Sequence, residues 1–284
     1  MHLVHRVTDL HTELAEWRAR RESAVLVPTM GNLHAGHLSL VRRARELGEC
    51  VAVSVFVNPL QFGPKEDYSR YPRTLEADAK LLREAGVDLL FAPAVEDVYP
   101  GGYPPATLVQ VNGDLTEVLD GAFRPGHFTG VATVVNILFN LVRPDVAVFG
   151  EKDWQQLQVI RRMVADLGLP VRVVGEPTAR AEDGLALSSR NQYLDAEQRQ
   201  RAPKLYAALR SIAAHIESGR RDYAVLCAAV SAELDAAGFR TQYLEVRSPD
   251  LGVPQPGAES VVILAAAFLG ATRLIDNLPV RLSA

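Results

Sequence analysis

The feature that most constrains the fold is a rhythm in the first ~180 residues, where short apolar runs alternate with stretches of helical spacing. Ala24-Val25-Leu26-Val27-Pro28 is a β-rich run, followed by a glycine-containing turn and a helical pattern over residues 38–44. Next comes Val51-Ala52-Val53-Ser54-Val55-Phe56-Val57, nearly continuous in apolar residues as a strand covered on both faces requires. The spacing predicts further helices over 75–85, 131–141 and 155–167, with strands over 87–91, 145–149 and 171–174. Strands and helices in strict alternation give parallel βαβ units, so residues 1–180 are expected to form a doubly wound, Rossmann-like α/β domain with ligands at the carboxyl ends of its strands.

Residues 93–126 interrupt the rhythm with the turn cluster Tyr99-Pro100-Gly101-Gly102-Tyr103-Pro104-Pro105 and one strand-like run over 107–111. Beyond Asn191 the texture changes to two Ala-rich amphipathic helices, expected over 196–218 and 223–237. Strand-like runs follow at 242–246, 261–268 and 272–275, so residues 181–284 are expected to form a smaller α+β domain.

Bulk properties exclude several classes. The net charge of −4 lacks the basic excess that phosphate-backbone binding needs, so nucleic acid is not an expected partner. Cys50 and Cys227 stand far apart in no C-x-x-C pair, which supports neither a disulfide framework nor a cysteine zinc site and suits a reducing compartment. Residues 1–23 read as a surface helix without the apolar core of a secretory signal. The longest apolar stretch, 261–268, is far shorter than the ~20 residues of a membrane span. A cytoplasmic protein that does not enter membranes is expected.

Chemistry concentrates where predicted strands end. Pro28-Thr29-Met30-Gly31-Asn32-Leu33-His34-Ala35-Gly36-His37 joins the first buried strand to the first helix of the alternating series. Backbone N–H groups and the positive end of the helix dipole face an incoming anion there. Gly36 permits close approach, and the i, i+3 spacing puts both imidazoles on one face of the first turn. Taken alone, His-x-Gly-His is equally a capping residue followed by a packed one. Leu187-Ser188-Ser189-Arg190-Asn191 gathers two hydroxyls, a guanidinium and an amide, although such a run before a helix is most often a cap with a solvated charge. Gly150-Glu151-Lys152-Asp153 follows another strand, and Lys152 can neutralise phosphate; a charged surface turn is the alternative. Asn58-Pro59-Leu60-Gln61 sits likewise after a strand and offers amides to carboxylate and hydroxyl groups, or is simply a turn.

His-x-Gly-His together with a later Ser-rich basic loop resembles the two halves of the nucleotidylyltransferase superfamily, which bind ATP and transfer an adenylyl group. The fuller ordered set is more specific. The Pro28–Gly31 and His34–His37 segments, Phe56-Val57-Asn58-Pro59-Leu60-Gln61-Phe62-Gly63, Tyr71-Pro72-Arg73-Thr74, Gly150–Asp153 with Gln155-Gln156, and Asp183-Gly184 with Ser188–Asn191 resemble the pantothenate synthetase family over about residues 24–194. Tyr243-Leu244-Glu245 and the 272–277 segment are also similar.

The resemblance implies ATP-dependent condensation of pantoate with β-alanine through a pantoyl adenylate, releasing AMP and pyrophosphate. It implies that His34 and His37 contact the ATP phosphates, with His37 as proton donor, and that Lys152, Ser188, Ser189 and Arg190 stabilise charge as pyrophosphate leaves. Met30, Gly31, Asn32, Leu33, Ala35 and Gly36, then Gly150, Glu151 and Asp153, and then Ala179 and Leu187 complete the implied nucleotide site. Gln61 and Gln156, with Asn58, would hold pantoate and β-alanine. Some members hold magnesium with an acidic cluster after Tyr-Pro-Arg-Thr; here Leu75-Glu76-Ala77-Asp78-Ala79-Lys80 leaves only Asp78. No protein metal ligand is therefore expected, with Mg²⁺ held mainly by phosphates and water. Ala179 and Trp154 replace larger aliphatic and Tyr or Phe residues usual in the family. His127 matches a position near the active site or serves as a structural cap, while His2, His5, His11 and His215 are expected on the surface. The smaller domain would carry the Ser-Ser-Arg-Asn loop and cover the active site, in a homodimer.

Two alternatives compete. A nucleotidyltransferase acting on a phosphorylated acceptor would need a further basic cluster, and none stands out. A catalytically silent nucleotide-binding protein would have lost His37, Lys152 or Arg190, and all are present.

Overall fold

The computed structural model describes residues 1–64 and 66–282. Six parallel strands, β1 (His2–Val4), β2 (Ala24–Thr29), β3 (Cys50–Val55), β4 (Leu89–Phe91), β5 (Val146–Gly150) and β6 (Arg172–Glu176), lie in the order β1-β4-β3-β2-β5-β6. Residue parity sorts each strand between two layers, because successive side chains point to opposite faces. Leu26, Ala52, Leu89, Phe91, Ala147 and Phe149 join one core with residues of α1 (Val7–Arg20), α7 (His127–Val142) and α8 (Trp154–Asp166). Val25, Val27, Val51, Val53, Leu90, Val146 and Val148 join another with α2 (Ala35–Leu47) and α3 (Leu75–Glu84). Helices therefore cover both faces, and the apolar runs of the central strands β2 to β5 are nearly continuous because neither side of them meets water.

Three short helices, α4 (Val95–Val98), α5 (Asp114–Glu117) and α6 (Asp120–Phe123), punctuate the excursion before α7. The order of strands makes β2 the switch point: the chain runs outward through β3 and β4, then returns to place β5 on the other side of β2. A doubly wound sheet opens its ligand crevice at that reversal, outside the carboxyl ends of β2 and β5.

Contacts divide the chain into two compact units, residues 1–151 with 156–177, and residues 152–155 with 178–284. In the second, β7 (Phe239–Arg247), β8 (Ser260–Leu269) and β9 (Thr272–Arg281) form an antiparallel sheet in that order. Leu205, Leu209, Ile212 and Ile216 of α10 (Lys204–Glu217) pack with Leu226 and Val230 of α11 (Tyr223–Ala236) and with Val261 and Ile263 of β8.

Four expectations change in detail. The segment over 1–23 contains β1 as well as a helix, and Leu10, Leu14 and Trp17 are buried, so α1 is a layer of the fold and not a surface appendage. Each fully buried side chain of this kind contributes about 1.5–3 kcal/mol. Residues 107–111 form no strand; Val109 donates its N–H to Thr133 Oγ1 at 2.9 Å, so this extended piece is tied to α7 instead of a sheet edge. The helix expected over 196–218 is two, α9 (Ala196–Arg201) and α10, divided before Lys204 by Pro203, which supplies no N–H to continue the ladder. The last strand runs on to Arg281 through Pro279, tolerated because β9 is an edge.

Candidate active site

The turn leaving β2 is built from two consecutive left-handed residues, Gly31 at φ +81° and Asn32 at φ +52°. The positive φ of Gly31 strains any other residue, and a Cβ there would in addition press on Asp78 Oδ2 and Val55 Cγ1, each 3.0 Å away. Asp78 of α3 is buried, and its carboxylate accepts the N–H groups of Asn32 at 2.9 Å and Leu33 at 2.8 Å, and the Thr74 hydroxyl at 3.2 Å. Thr29 Oγ1 accepts from Gly31 N–H at 3.2 Å and donates to the Ser54 carbonyl at 2.8 Å. The loop is thereby fixed before any ligand arrives.

His34 is the N-cap of α2. Its Nδ1 accepts from Gly36 N–H at 3.1 Å, while His37 Nδ1 accepts from His34 N–H at 3.3 Å, a reciprocal capping box made of two imidazoles. The rings lie 4.2 Å apart. An Nδ1 that accepts carries no proton, so each neutral ring keeps its proton on Nε2. Two N–H donors thus stand at the positive end of a 13-residue helix, at the switch point of the sheet.

Asn58 and Gln61 follow β3. Asn58 is buried, and protein groups fill all four of its hydrogen-bonding positions: Nδ2 donates to Gln61 Oε1 and the Gly130 carbonyl, each at 3.1 Å, and Oδ1 accepts from Leu60 N–H at 3.2 Å and the Tyr99 hydroxyl at 2.6 Å. Its amide therefore orients Gln61, whose Nε2 points to Met30 Sδ at 3.3 Å. Gln61 and Met30 are brought together this way.

The Gln61 carbonyl accepts from His127 Nδ1 at 2.8 Å, and Arg124 Nη1 donates to His127 Nε2 at 2.9 Å. Burial, reinforced by the Arg124 charge, pushes the His127 imidazole down to about 4, in keeping with a neutral ring. Arg124 is forked onto Glu66 through two 2.7 Å bonds. Burial works to raise the Glu66 carboxyl, but Arg124 outweighs it and holds it below its ordinary value. His127 is thus a buried support, whereas His2, His5, His11 and His215 are exposed as expected. Gly130 of α7 lets this segment approach: a Cβ there would fall 2.5 Å from the Leu60 carbonyl oxygen.

At the end of β5, a Cβ on Gly150 would meet nothing nearer than Leu40 Cδ2 at 3.9 Å, which leaves room beside the backbone. Burial raises the Glu151 carboxyl, against the pull of Arg161. Gln156 is half-buried in the first turn of α8.

Lys152 groups with the second unit. Its ammonium lies 4.0 Å from Asp153 Oδ2 and its carbonyl accepts from Asn277 Nδ2 at 2.9 Å. Residues 179–187 form a tight hairpin in which Ala181 N–H donates to the Leu185 carbonyl and Leu187 N–H to the Ala179 carbonyl, each at 2.9 Å. Ser188 caps the following turn by accepting from Arg190 N–H at 3.3 Å, and Asn191 Nδ2 donates to the Ala186 carbonyl at 3.0 Å. Ser189 and Arg190 are half-buried. Burial lifts the Asp276 carboxyl above its ordinary value, against the pull of Arg180.

Sequence reasoning singled out Asp78 only as a possible metal contributor, met Asp276 and Asn277 only within the 272–277 segment similar to the family, and gave no role to Tyr99, Glu66, Arg124 or Arg180. Arg124 and His127 carried a weak signal in their i, i+3 spacing; the others act across long separations that no local pattern marks. Among the described residues, no group of three or more His, Cys, Asp or Glu side chains is placed to hold a metal ion, and no helix is long and apolar enough to cross a membrane.

The model of the family described as pantoate-beta-alanine ligase matches residues 2–279. The pantothenate synthetase of Thioalkalivibrio sulfidiphilus is 58% identical over 283 residues, covering 99% of each chain. That of Pseudomonas aeruginosa (strain UCBPP-PA14) is 55% identical, over 99% of this chain and 100% of its own. The crystal structure of pantothenate synthetase from Thermus thermophilus is 54% identical with a TM-score of 0.91, covering 98% of this chain and 99% of that one. A pantoate-beta-alanine ligase from Francisella tularensis, solved in complex with beta-gamma ATP and beta-alanine, is 32% identical with a TM-score of 0.82, over 98% of this chain and 97% of that one.

Proposed function

The chain belongs to the pantoate-beta-alanine ligase family, and from that premise we propose that His34, His37, Lys152, Ser188, Ser189 and Arg190 are the residues with which it activates pantoate. The protein is an ATP-dependent ligase that joins pantoate to β-alanine through a pantoyl adenylate. A free carboxylate is a poor acylating agent at neutral pH, and adenylation supplies AMP as a leaving group.

In the first step a pantoate carboxylate oxygen forms a bond to the α-phosphorus of ATP while the bond from that phosphorus to the bridging oxygen breaks. Pyrophosphate leaves with the electron pair. The chemistry asks for positioning and for donors where negative charge develops. The observation that carries the assignment is the reciprocal capping of His34 and His37, which commits both Nδ1 atoms to backbone N–H groups and leaves Nε2–H as the donor of each ring. His37 donates to the departing phosphate. Lys152, Ser188, Ser189 and Arg190 stabilise the charge that develops as pyrophosphate leaves. Met30 to Gly36, Gly150, Glu151, Asp153, Ala179 and Leu187 frame the nucleotide; the open space beside Gly150 supports this.

In the second step the amine of β-alanine attacks the acyl carbon, the bond from that carbon to the AMP oxygen breaks, and the amine loses a proton. Gln61 and Gln156 hold the pantoyl body, and Asn58 acts by orienting Gln61. Exclusion of water protects the mixed anhydride. Mg²⁺ would come with ATP, held mainly by phosphate oxygens and water, and would offset charge on the triphosphate. The Asp78 oxygens are already engaged by the loop, so no step is assigned to a protein-bound metal.

The division near residue 180 into a catalytic domain and a smaller one belongs to the same proposal, as do a homodimer and a cytoplasmic location. The two free, buried cysteines suit a reducing compartment, and exposed Tyr103, Leu108 and Phe123 in the excursion offer apolar surface for a second copy. Light scattering should report twice the chain mass.

Purified protein given Mg-ATP, pantoate and β-alanine is expected to produce AMP, and omission of pantoate to abolish it. No AMP with all three present would overturn the assignment.

A further inference from the structure

Lys152 lies in the short turn that opens a helix, and its backbone is fixed from far along the chain. Asn277 of β9 donates Nδ2 to the Lys152 carbonyl at 2.9 Å across 125 positions of sequence. Asn277 is itself constrained. Its N–H donates to Asp276 Oδ1 at 2.8 Å, and its carbonyl accepts from Arg180 Nη2 at 3.2 Å.

Arg180 closes the arrangement. It forks onto Asp276 through bonds of 2.7 and 2.8 Å, with the Asp276 side chain 3% exposed, and stacks over the Tyr206 ring at 3.7 Å. The same guanidinium donates to the Gly184 carbonyl at 3.1 Å. Gly184 lies at the tip of the hairpin that leads into Ser188-Ser189-Arg190, and its φ of +92° with Tyr206 Cδ1 2.7 Å from a hypothetical Cβ excludes other residues. One largely buried guanidinium thus ties together the hairpin that carries the Ser-Ser-Arg turn, the end of the antiparallel sheet and, through Asn277, the backbone of Lys152. Such over-determination is what a group acting by position needs, since displacement by 1 Å at a reacting centre costs up to about 10²-fold in rate.

We propose that Asn277, locked by the Arg180–Asp276 ion pair, is a positioning residue for the ligase reaction, setting the place of Lys152 in register with the Ser188–Arg190 turn. The inference rests on the assignment of Lys152 to the triphosphate. Asn277 touches no reacting atom; it holds the peptide from which the ammonium projects. Its loss matters only while Lys152 is there to be misplaced.

The test is a double-mutant cycle on pantoate-dependent exchange of pyrophosphate into ATP, with wild type, Lys152→Ala, Asn277→Ala and the pair. Lys152→Ala alone is expected to slow exchange by about 10²-fold, and wild-type exchange in that variant would remove the Lys152 assignment itself. Asn277→Ala is expected to lower kcat about tenfold with KM for pantoate unchanged, and to lower the Lys152→Ala rate less than about twofold. Asn277→Asp, of equal size but without the donor, repeats the measurement should the alanine variant fail to fold. A normal rate in the Asn277 variants, or the same loss with and without Lys152, would overturn the positioning role while leaving the Lys152 assignment intact.

Discussion

His34 and Lys152 are assigned to one triphosphate and are held in opposite ways. His34 is fixed by its own neighbourhood: Gly36 N–H on one side, His37 on the other, and a two-residue left-handed turn before it. Asp78 is the remote side chain that steadies this turn. Lys152 depends on residues near 180 and 277. Local holding is made wherever the segment folds, whereas remote holding requires that a whole sheet and hairpin be in place. The second arrangement places a charged side chain on an element whose position the rest of a domain determines, at the cost of sensitivity to distant substitution.

That contrast predicts a gradient in which the support reaching farthest along the chain costs most to remove and the nearest costs least. Arg180→Ala should cost most, about 3–5 kcal/mol in urea unfolding, because it strands the buried Asp276 carboxylate. A variant with wild-type stability would break the contrast, since the remote arrangement would then bear no strain when cut.

His127 comes next. Its ring is held near pKa 4 in the folded chain against about 6.5 when unfolded, so the folded state binds fewer protons between those values. The stability it contributes is present above pH 6.5 and is lost as pH falls to 4, on the order of 3 kcal/mol. Unfolding of wild type and His127→Asn compared at pH 7 and pH 4 should show the asparagine variant losing less over that interval. Equal losses would mean the imidazole titrates as in solvent.

Gly130→Ala sharpens the comparison from within the first unit, because the new Cβ would press on the Leu60 carbonyl and Gln61 Cα. Displacement of Gln61 should lower kcat/KM for pantoate by about 10²-fold while adenine-nucleotide affinity stays near wild type. An equal loss of ATP affinity would show that the two segments are not separately supported. Asp78→Ala should have the smallest effect, an increase of about tenfold in KM for ATP and ~1–3 kcal/mol of stability, because the capping box persists without it. An effect larger than that of Gly130→Ala would invert the gradient.

The same distinction explains what could be read in the sequence. The parallel sheet was legible because each buried strand is an unbroken apolar run, and the anion site because Gly31, Asn32 and the two histidines lie within seven residues of one another. β1 is only three residues long and gave no period. The division of α9 from α10 was marked by Pro203, but the surrounding Ala-rich pattern masked it. The extended 107–111 segment has strand composition and finds Thr133 where a strand partner would be, which residue types alone do not reveal. Asp78 drew attention for its charge, yet its function is set by which amides it meets. The 272–277 segment resembled the family, but what Arg180, Asp276 and Asn277 hold was silent because hydrogen bonds spanning about a hundred residues leave no local trace.

The most direct test of the central claim is pantoate-dependent pyrophosphate exchange in His37→Ala, with circular dichroism and thermal unfolding recorded on the same sample. A folded variant slowed by about 10²-fold or more is expected for the loss of a donor at the leaving phosphate. Exchange at the wild-type rate would place the adenylation chemistry away from the segment between β2 and α2.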